Sequence, residues 1–241
     1  MKKRTEKKKE WPPLECETCP WYPYSMFQDL NREQLEQLSM EKEPRFFKRG
    51  DVIFEAGHPP RGMYCIYKGK AKLVKQEHTD HEMIVRIASE GDVLGYRSIL
   101  SNTPYSATAV ALTDMVTCYI PLSLVNKLIE SNHKTALRFL RRLAKDLGEA
   151  ESRMVSIAYS PVKERIARIL LMLQKIYGTD DEGYINLELS REELASLAGT
   201  VVETAIRNLS SLEKEGYIEV NKRKIKILSK DKLAFLGNIA D

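Results

Sequence analysis

The 241-residue chain is 43% hydrophobic and 30% charged with a formal charge of +4, the profile of an ordinary globular protein of one or two domains. No stretch approaches the about twenty apolar residues that cross a bilayer, and "MKKRTEKKKE" has no apolar run behind it, so a membrane protein and a secretory signal are both excluded and the cytoplasm is expected. The charge is local: residues 1–10 hold six basic and two acidic side chains, which already makes +4, whereas residues 159–241 hold thirteen of each, so a case for nucleic acid must rest on motif and not on bulk charge.

In chain order, residues 1–20 read as a solvated basic tail that ends in a CxxC, Cys16 and Cys19. Residues 21–131 carry short runs rich in Val, Ile, Tyr and Phe, such as "FFKRGDVIFEAGHPPRGMYCIYKGKAKLV" and "HEMIVRIASEGDVLGYRSIL", broken by glycines at turn spacing. That pattern predicts an antiparallel β-sandwich or barrel. From about Leu122 the period becomes helical, and in residues 132–158 Leu137, Leu140, Ala144, Leu147 and Met154 recur at near-heptad spacing, with Glu151 interrupting. A stripe so narrow on a helix so long fits a partner helix, so a homodimer interface is expected there; packing on its own domain is the alternative.

Residues 159–241 form a second domain. Ser160 can cap a helix, Pro161 suits its first turn and Gly178 ends it. "GYINLEL" predicts a strand, "LSREELASLAGTVVETAIRNLSSLEKEGYI" two helices about Gly199, and "GYIEVNKRKIKIL" a hairpin. Together they make a winged helix-turn-helix. Ser190 with Glu193, and Thr200 with Glu203, have capping-box spacing. On the second helix Val201, Ala205, Leu209 and Leu212 form the expected buried stripe. At 100° per residue, Glu203 and Arg207 then point outward with Val202 and Ile206 on the shoulder. Glu203 could be only a cap, and Arg207 only its i, i+4 partner, but neither explains an exposed Ile206. In a major groove, Arg bonds guanine, Glu accepts from cytosine and an alkyl group meets a thymine methyl. Val202, Glu203, Ile206 and Arg207 are therefore expected to read bases of double-stranded DNA, with Ser190, Thr200, Lys222, Arg223 and Lys224 on phosphates.

A β domain, a long helix and a winged helix in that order resemble the CRP/FNR family of bacterial transcription regulators, from about residue 14 to the end. "GDVIFEAG", "YCIYKGKAKLV", "EGDVLGYRSIL" and "YSATAVAL" are similar to its cyclic-nucleotide-binding jelly roll, and "GTVVETAIRNL" to its recognition helix. The resemblance implies an α+β chain: an antiparallel jelly roll, a dimerisation helix and a C-terminal winged helix-turn-helix. It also implies a non-enzymatic regulator that binds an inverted repeat as a homodimer, acts on RNA polymerase and answers an unidentified signal. The FNR branch usually has Ser where this chain has Ile206, which points to a different target sequence.

The resemblance places the effector pocket at Gly95, Tyr96, Arg97, Tyr105 and Ser106. Cyclic-AMP-binding members carry a Glu after the glycine and an Arg before Ser-Ala, where this chain has Tyr96 and Tyr105. A buried phosphate without a cation is strongly disfavoured, and Arg97, on a normally alternating strand, would face away. Cyclic AMP is accordingly not expected to bind in the family's manner. The oxygen-sensing members suggest an iron–sulfur cluster, for which Cys16, Cys19 and Cys118 match. Ser25 stands where a further N-terminal thiol would be, and Cys65 reads as a small core residue. Structural or redox-reactive thiols are the alternative to a cluster, and the alternative function is a ligand-binding or iron–sulfur or redox-sensing module whose output is not mainly DNA binding. The His78–His81 pair reads as part of a solvated turn.

Overall fold

The computed structural model describes residues 14–76 and 82–237; the basic tail and the His78–His81 pair lie outside them. The chain divides into two compact units, one of residues up to 74 with 86–143, the other of residues 75–85 with the chain from 144 onward.

The first unit is built on strands β1 (Glu43–Phe47), β2 (Val52–Phe54), β3 (Gly62–Lys68), β4 (Ala71–Gln76), β5 (Glu82–Ala88), β6 (Val93–Leu94), β7 (Thr108–Ala111) and β8 (Met115–Pro121), although residues 75–76 of β4 and 82–85 of β5 are counted with the second unit. Among the described residues they form two four-stranded sheets, β1-β8-β3-β6 and β2-β7-β4-β5, with antiparallel registers. This is the expected antiparallel β domain.

Alternation along β3 and β8 sends side chains into two different cores. Tyr64, Ile66, Met115 and Tyr119 join Phe54, Ala109 and Tyr105 between the sheets. Met63 and Ile120, with Cys65 partly buried beside them, turn the other way, onto helices α1 (Arg32–Glu41), α2 (Tyr96–Ser101), α3 (Leu122–Ser131) and the start of α4 (His133–Tyr159). Phe139 of α4 is fully buried there and meets Phe27 edge-on at 5.8 Å. Burial of one such ring stabilises the fold by about 1.5–3 kcal/mol. Asn31 and Gln34 close a capping box that starts α1, and Arg142 ties α4 to Asp92 at 2.8 Å.

Further along α4 the stripe of Leu137, Leu140, Ala144, Leu147 and Met154 lies exposed; Leu140 is 60% and Leu147 61% accessible. The helix ends at Tyr159, and Pro161 itself occupies the N-cap of α5 (Val162–Tyr177), with no side-chain cap. Ser160 does not cap as its position had suggested; its hydroxyl accepts from Arg168 at 2.7 Å.

The second unit continues with α6 (Arg191–Ala198), α7 (Val202–Lys214), the β9 (Ile218–Asn221) and β10 (Lys224–Ile227) hairpin, and α8 (Lys230–Leu236). "GYINLEL" is not a strand. It makes only isolated bridges, Tyr184 to Lys226 and Ile185 to Thr179, while Tyr184, Ile185, Leu187 and Leu189 are buried. Its alternation is that of an extended segment packed by side chains, without a continuous ladder. Within this unit Ile84 donates its N–H to Ser196 Oγ at 2.6 Å, and Arg153 donates to the Val85 and Leu197 carbonyls, each at 2.9 Å.

Candidate functional site

Helix α6 opens on a complete capping box, with Ser190 Oγ accepting from Glu193 N–H at 3.1 Å and the Glu193 carboxylate accepting from Ser190 N–H at 2.9 Å. It closes on Gly199 at φ 59°, where Thr200 N–H reaches back to Ala195 O at 3.0 Å. This is a Schellman ending, and the left-handed residue is what permits it. A Cβ on Gly199 would also touch Ile157 at 3.4 Å. Below the turn Arg165 is buried and donates to Ile157 O at 2.7 Å, Ser160 O at 3.3 Å and Gly199 O at 3.3 Å. Burial lowers its guanidinium from its ordinary range. Three carbonyls, two at the end of α4 and one in the turn before α7, thus hang on one side chain.

Helix α7 starts one residue later than the capping spacing suggests. Its N-cap is Val201, extended at φ −80° and ψ 156°, without a side-chain cap, so the Thr200–Glu203 box is not formed. Val201 is 54% exposed and leaves the buried stripe, which consists of Ala205, Leu209 and Leu212. A wheel projection fails at Val201 because that residue is not helical. Glu203 is exposed and has no hydrogen bond or ion pair among the described residues. Arg207 is exposed and donates to Thr204 Oγ1 at 3.1 Å. Ile206 is 44% exposed between them, and Val202 is half-buried on the shoulder.

At the wing, Lys222 and Arg223 form the two-residue connection of β9 to β10, both exposed, with Lys222 in the left-handed region at φ 53°. Arg191 donates to the Lys222 carbonyl at 2.9 Å and so fixes the turn against α6. Lys224 is already engaged by Asp180 Oδ2 at 2.9 Å and lies over the Tyr184 ring. Asp180 holds that lysine's pKa above its usual range, and Lys224 in turn holds Asp180 below the usual carboxylate range.

In the β unit, the residues at the expected effector pocket, Gly95, Tyr96, Arg97, Tyr105 and Ser106, all line one small cavity. Tyr96 is buried toward Phe139, with ring centroids 6.2 Å apart. Tyr105 stacks on Phe54 at 4.0 Å and donates its hydroxyl to Gly62 O at 3.1 Å. Burial pushes that hydroxyl's pKa up to about 12. Gly95, at φ 88°, leaves only tight room for a side chain, since a Cβ would meet Tyr105 at 3.2 Å and Gly62 O at 3.3 Å. Arg97 sits on helix α2, so strand alternation does not govern it; it is exposed at the rim of a cavity of about 30 Å³ shared with Ser106 and Arg86. Arg86 is bonded to Asp92 at 2.6 Å. A cavity of this size accommodates about two waters.

A second cavity, of about 60 Å³, lies beneath the N-terminal segment, and Cys16, Cys19, Cys65 and Cys118 all line it, as does Ser25. Cys65 and Cys118 are directly opposite on β3 and β8. Trp21 pins the CxxC segment above them by donating to Tyr67 O at 2.9 Å, and Lys42 Nζ donates to Cys16 Sγ at 2.9 Å. Burial pushes the Cys65 thiol well above its ordinary pKa and the Cys118 thiol up to about 11. None of the four is in a disulfide. Cys65 is the residue that the sequence reading had assigned to the core.

The sequence pattern of the cyclic nucleotide-binding domain matches residues 44–132, and that of the Crp-like helix-turn-helix domain matches residues 164–236. The chain is 25% identical over 211 residues to the CRP-like cAMP-activated global transcriptional regulator of Mycobacterium tuberculosis, covering 87% of this chain and 94% of that one. A CRP/FNR-family transcriptional regulator from Thermus thermophilus superposes with a TM-score of 0.70 at 26% identity, over 81% of this chain and 98% of its own. FixK2 from Bradyrhizobium japonicum shares the fold, with a TM-score of 0.74 at 22% identity over 83% and 99% of the two chains. Among the described residues no helix is long and apolar enough to cross a membrane. With both domains matched in the same order and a helix-turn-helix closed on Gly199, the chain belongs to the CRP/FNR family of transcription regulators.

Proposed function

We propose that this chain binds an inverted-repeat operator on double-stranded DNA as a homodimer, each α7 reading one half-site and the β unit relaying a signal to the DNA-binding unit. One observation carries the DNA reading: α7 presents Glu203, Ile206 and Arg207 on an exposed face, with Arg207 bonded only within its own helix, to Thr204. Between the two charged side chains, Ile206 offers an alkyl group of the kind that meets a thymine methyl in a major groove. Lys222 and Arg223 supply phosphate contacts from the wing, and Thr200 sits beside the N-terminus of α7, where backbone N–H groups favour a phosphate. Ser190 and Lys224 are committed inside the protein and contribute less.

The homodimer reading is supported by the exposed apolar stripe of α4, whose heptad spacing suits a second copy of the same helix. A two-fold axis along α4 relates two copies of α7, so the half-sites should be centred about 34 Å apart. RNA polymerase is the partner through which such a regulator acts, and the cytoplasm its place of work. Cyclic AMP is not its effector: Tyr105 fills the phosphate side of the pocket against Phe54 and contributes no positive charge. Binding-site selection from random duplexes, followed by footprinting, tests the proposal. An inverted repeat with half-sites one helical turn apart is expected. Recovery of no sequence preference at low salt would sink it, and a low-micromolar calorimetric affinity for cyclic AMP would overturn the effector part alone.

A further inference from the structure

We propose that Thr204 is a positioning residue for base reading: its hydroxyl holds the Arg207 guanidinium away from Glu203 and leaves the remaining donors to face a guanine. The inference rests on the reading of α7 as the DNA-facing helix. Arg207 lies one helical turn after Glu203, and an acidic and a basic side chain at i and i+4 ordinarily pair on a helix surface. Here they do not. Arg207 donates from Nη2 to Thr204 Oγ1 at 3.1 Å instead, and Glu203 has no hydrogen bond or ion pair among the described residues.

The groups around Thr204 explain why its hydroxyl can act as an anchor. Its carbonyl already accepts from Asn208 Nδ2 at 2.8 Å, so the hydroxyl is the acceptor left to Arg207. Thr204 is half-buried, between the exposed Glu203 and the fully buried Ala205. A β-branched side chain in a helix keeps few χ1 rotamers, so this hydroxyl is a fixed point beside two long side chains. A guanidinium carries several N–H donors in one plane. The bond to Thr204 uses one, and a bidentate contact to guanine O6 and N7 needs only a further pair. Were the guanidinium to close on Glu203, the two charged groups that read bases would occupy each other. Ordering a long side chain before contact removes a cost of binding, about two- to tenfold in affinity.

The test uses the full chain with Thr204→Val, which keeps the branched shape and removes the hydroxyl, Thr204→Ser, which keeps the hydroxyl, Arg207→Ala, and the double variant Thr204→Val with Arg207→Ala. In a binding-site selection, Thr204→Val should flatten the preference at the base pair that Arg207→Ala also flattens. It should weaken the best operator about two- to tenfold with the salt slope unchanged. Thr204→Ser should keep the wild-type preference. On the Arg207→Ala background, Thr204→Val should change affinity by less than about twofold, because effects that pass through one shared contact do not add. Should Thr204→Val fail to fold, side-chain nitrogen relaxation of the free wild type replaces it: the Arg207 guanidinium should be more ordered than that of Arg223, exposed in the wing. Equal order at the two would overturn the proposal. So would an unchanged preference in folded Thr204→Val, or the same loss from it with and without Arg207. A uniform weakening of all sequences, with a salt slope lower by about one, would place the hydroxyl on a phosphate and overturn it as well. If Arg207→Ala leaves the selection profile unchanged, the DNA reading of this face falls and the positioning role falls with it. If Arg207→Ala flattens one base pair and Thr204→Val does not, the positioning role falls alone.

Discussion

At Glu203 the carboxylate has no partner among the described residues, and α7 begins too late for it to serve the Thr200 amide. Its remaining local value is a favourable position near the helix N-terminus, worth about 0.3–1 kcal/mol. Glu203→Gln is therefore expected to lower the melting temperature by a degree or so at most, yet to change the base preferred at one position of each half-site in a binding-site selection. Arg207→Ala should weaken the best operator by about 1–3 kcal/mol and flatten the preference at its base pair. Unchanged selection profiles for both variants would remove this face from DNA reading. Arg165 is a different kind of residue: buried, and bonded to carbonyls of Ile157, Ser160 and Gly199. Arg165→Met removes that donor set, and leaving such groups unmet costs about 1–3 kcal/mol. Calorimetry should show the loss in stability, with weakened DNA binding as its consequence. Helical periodicity exposed Glu203 and Arg207, since i and i+4 share a face whatever surrounds the helix. It gave no hint of Arg165, whose partners come from the end of α4 and the turn before α7.

The wing hairpin can be tested as an element. Lys222 holds φ 53° without being glycine, a conformation that costs an L-residue about 1–2 kcal/mol. Lys222→Gly should raise the melting temperature while weakening all DNA sequences alike and reducing the salt slope by about one. A parallel fall in stability and affinity would mean the lysine serves the fold instead. At the base of the hairpin, Lys224 holds the Asp180 carboxyl below its ordinary range. A depressed folded pKa means that the stabilisation is complete above the unfolded value of about 3.9 and is lost as pH falls through the lower folded one. Asp180→Asn should accordingly flatten the acid limb of stability against pH and leave neutral DNA binding unchanged. The hairpin itself was legible, because "NKRK" lies between two apolar alternations. The flanking "GYINLEL" was misjudged as a strand, since alternation reports which side chains are buried and does not report whether a backbone ladder runs alongside.

For the whole molecule, the proposed homodimer turns on the face of α4 that carries Leu140 and Leu147. Leu140→Asp and Leu147→Asp each place a charge opposite its symmetry mate in apolar surroundings, which costs several kcal/mol. Sedimentation should show monomers with folded β units, and persistent dimers for both variants would move the interface elsewhere. What the amino-acid order determined by itself is whatever depends on near neighbours along the chain: the β-then-helix succession, the heptad stripe of α4, the α6 capping box and the outward side of α7. These follow from fixed periods and from turn residues such as Gly199, and they need no knowledge of what packs where. The thiol cavity needed the tertiary structure. Strand β3 is buried on both faces, with Met63 and Tyr64 at 0% and 7% exposure on opposite sides, so no polar alternation marks which way Cys65 points. Only the pairing of β3 with β8 beneath the CxxC turn sets Cys65 against Cys118, and only α1, carrying the chain to Lys42, brings a cation to Cys16. Tertiary packing likewise decided that Tyr105 fills its pocket by stacking on Phe54, a contact between strands and loops some fifty residues apart. Local rules constrain directions over a few residues, whereas a site built from distant segments exists only once the two sheets and the helices around them have closed.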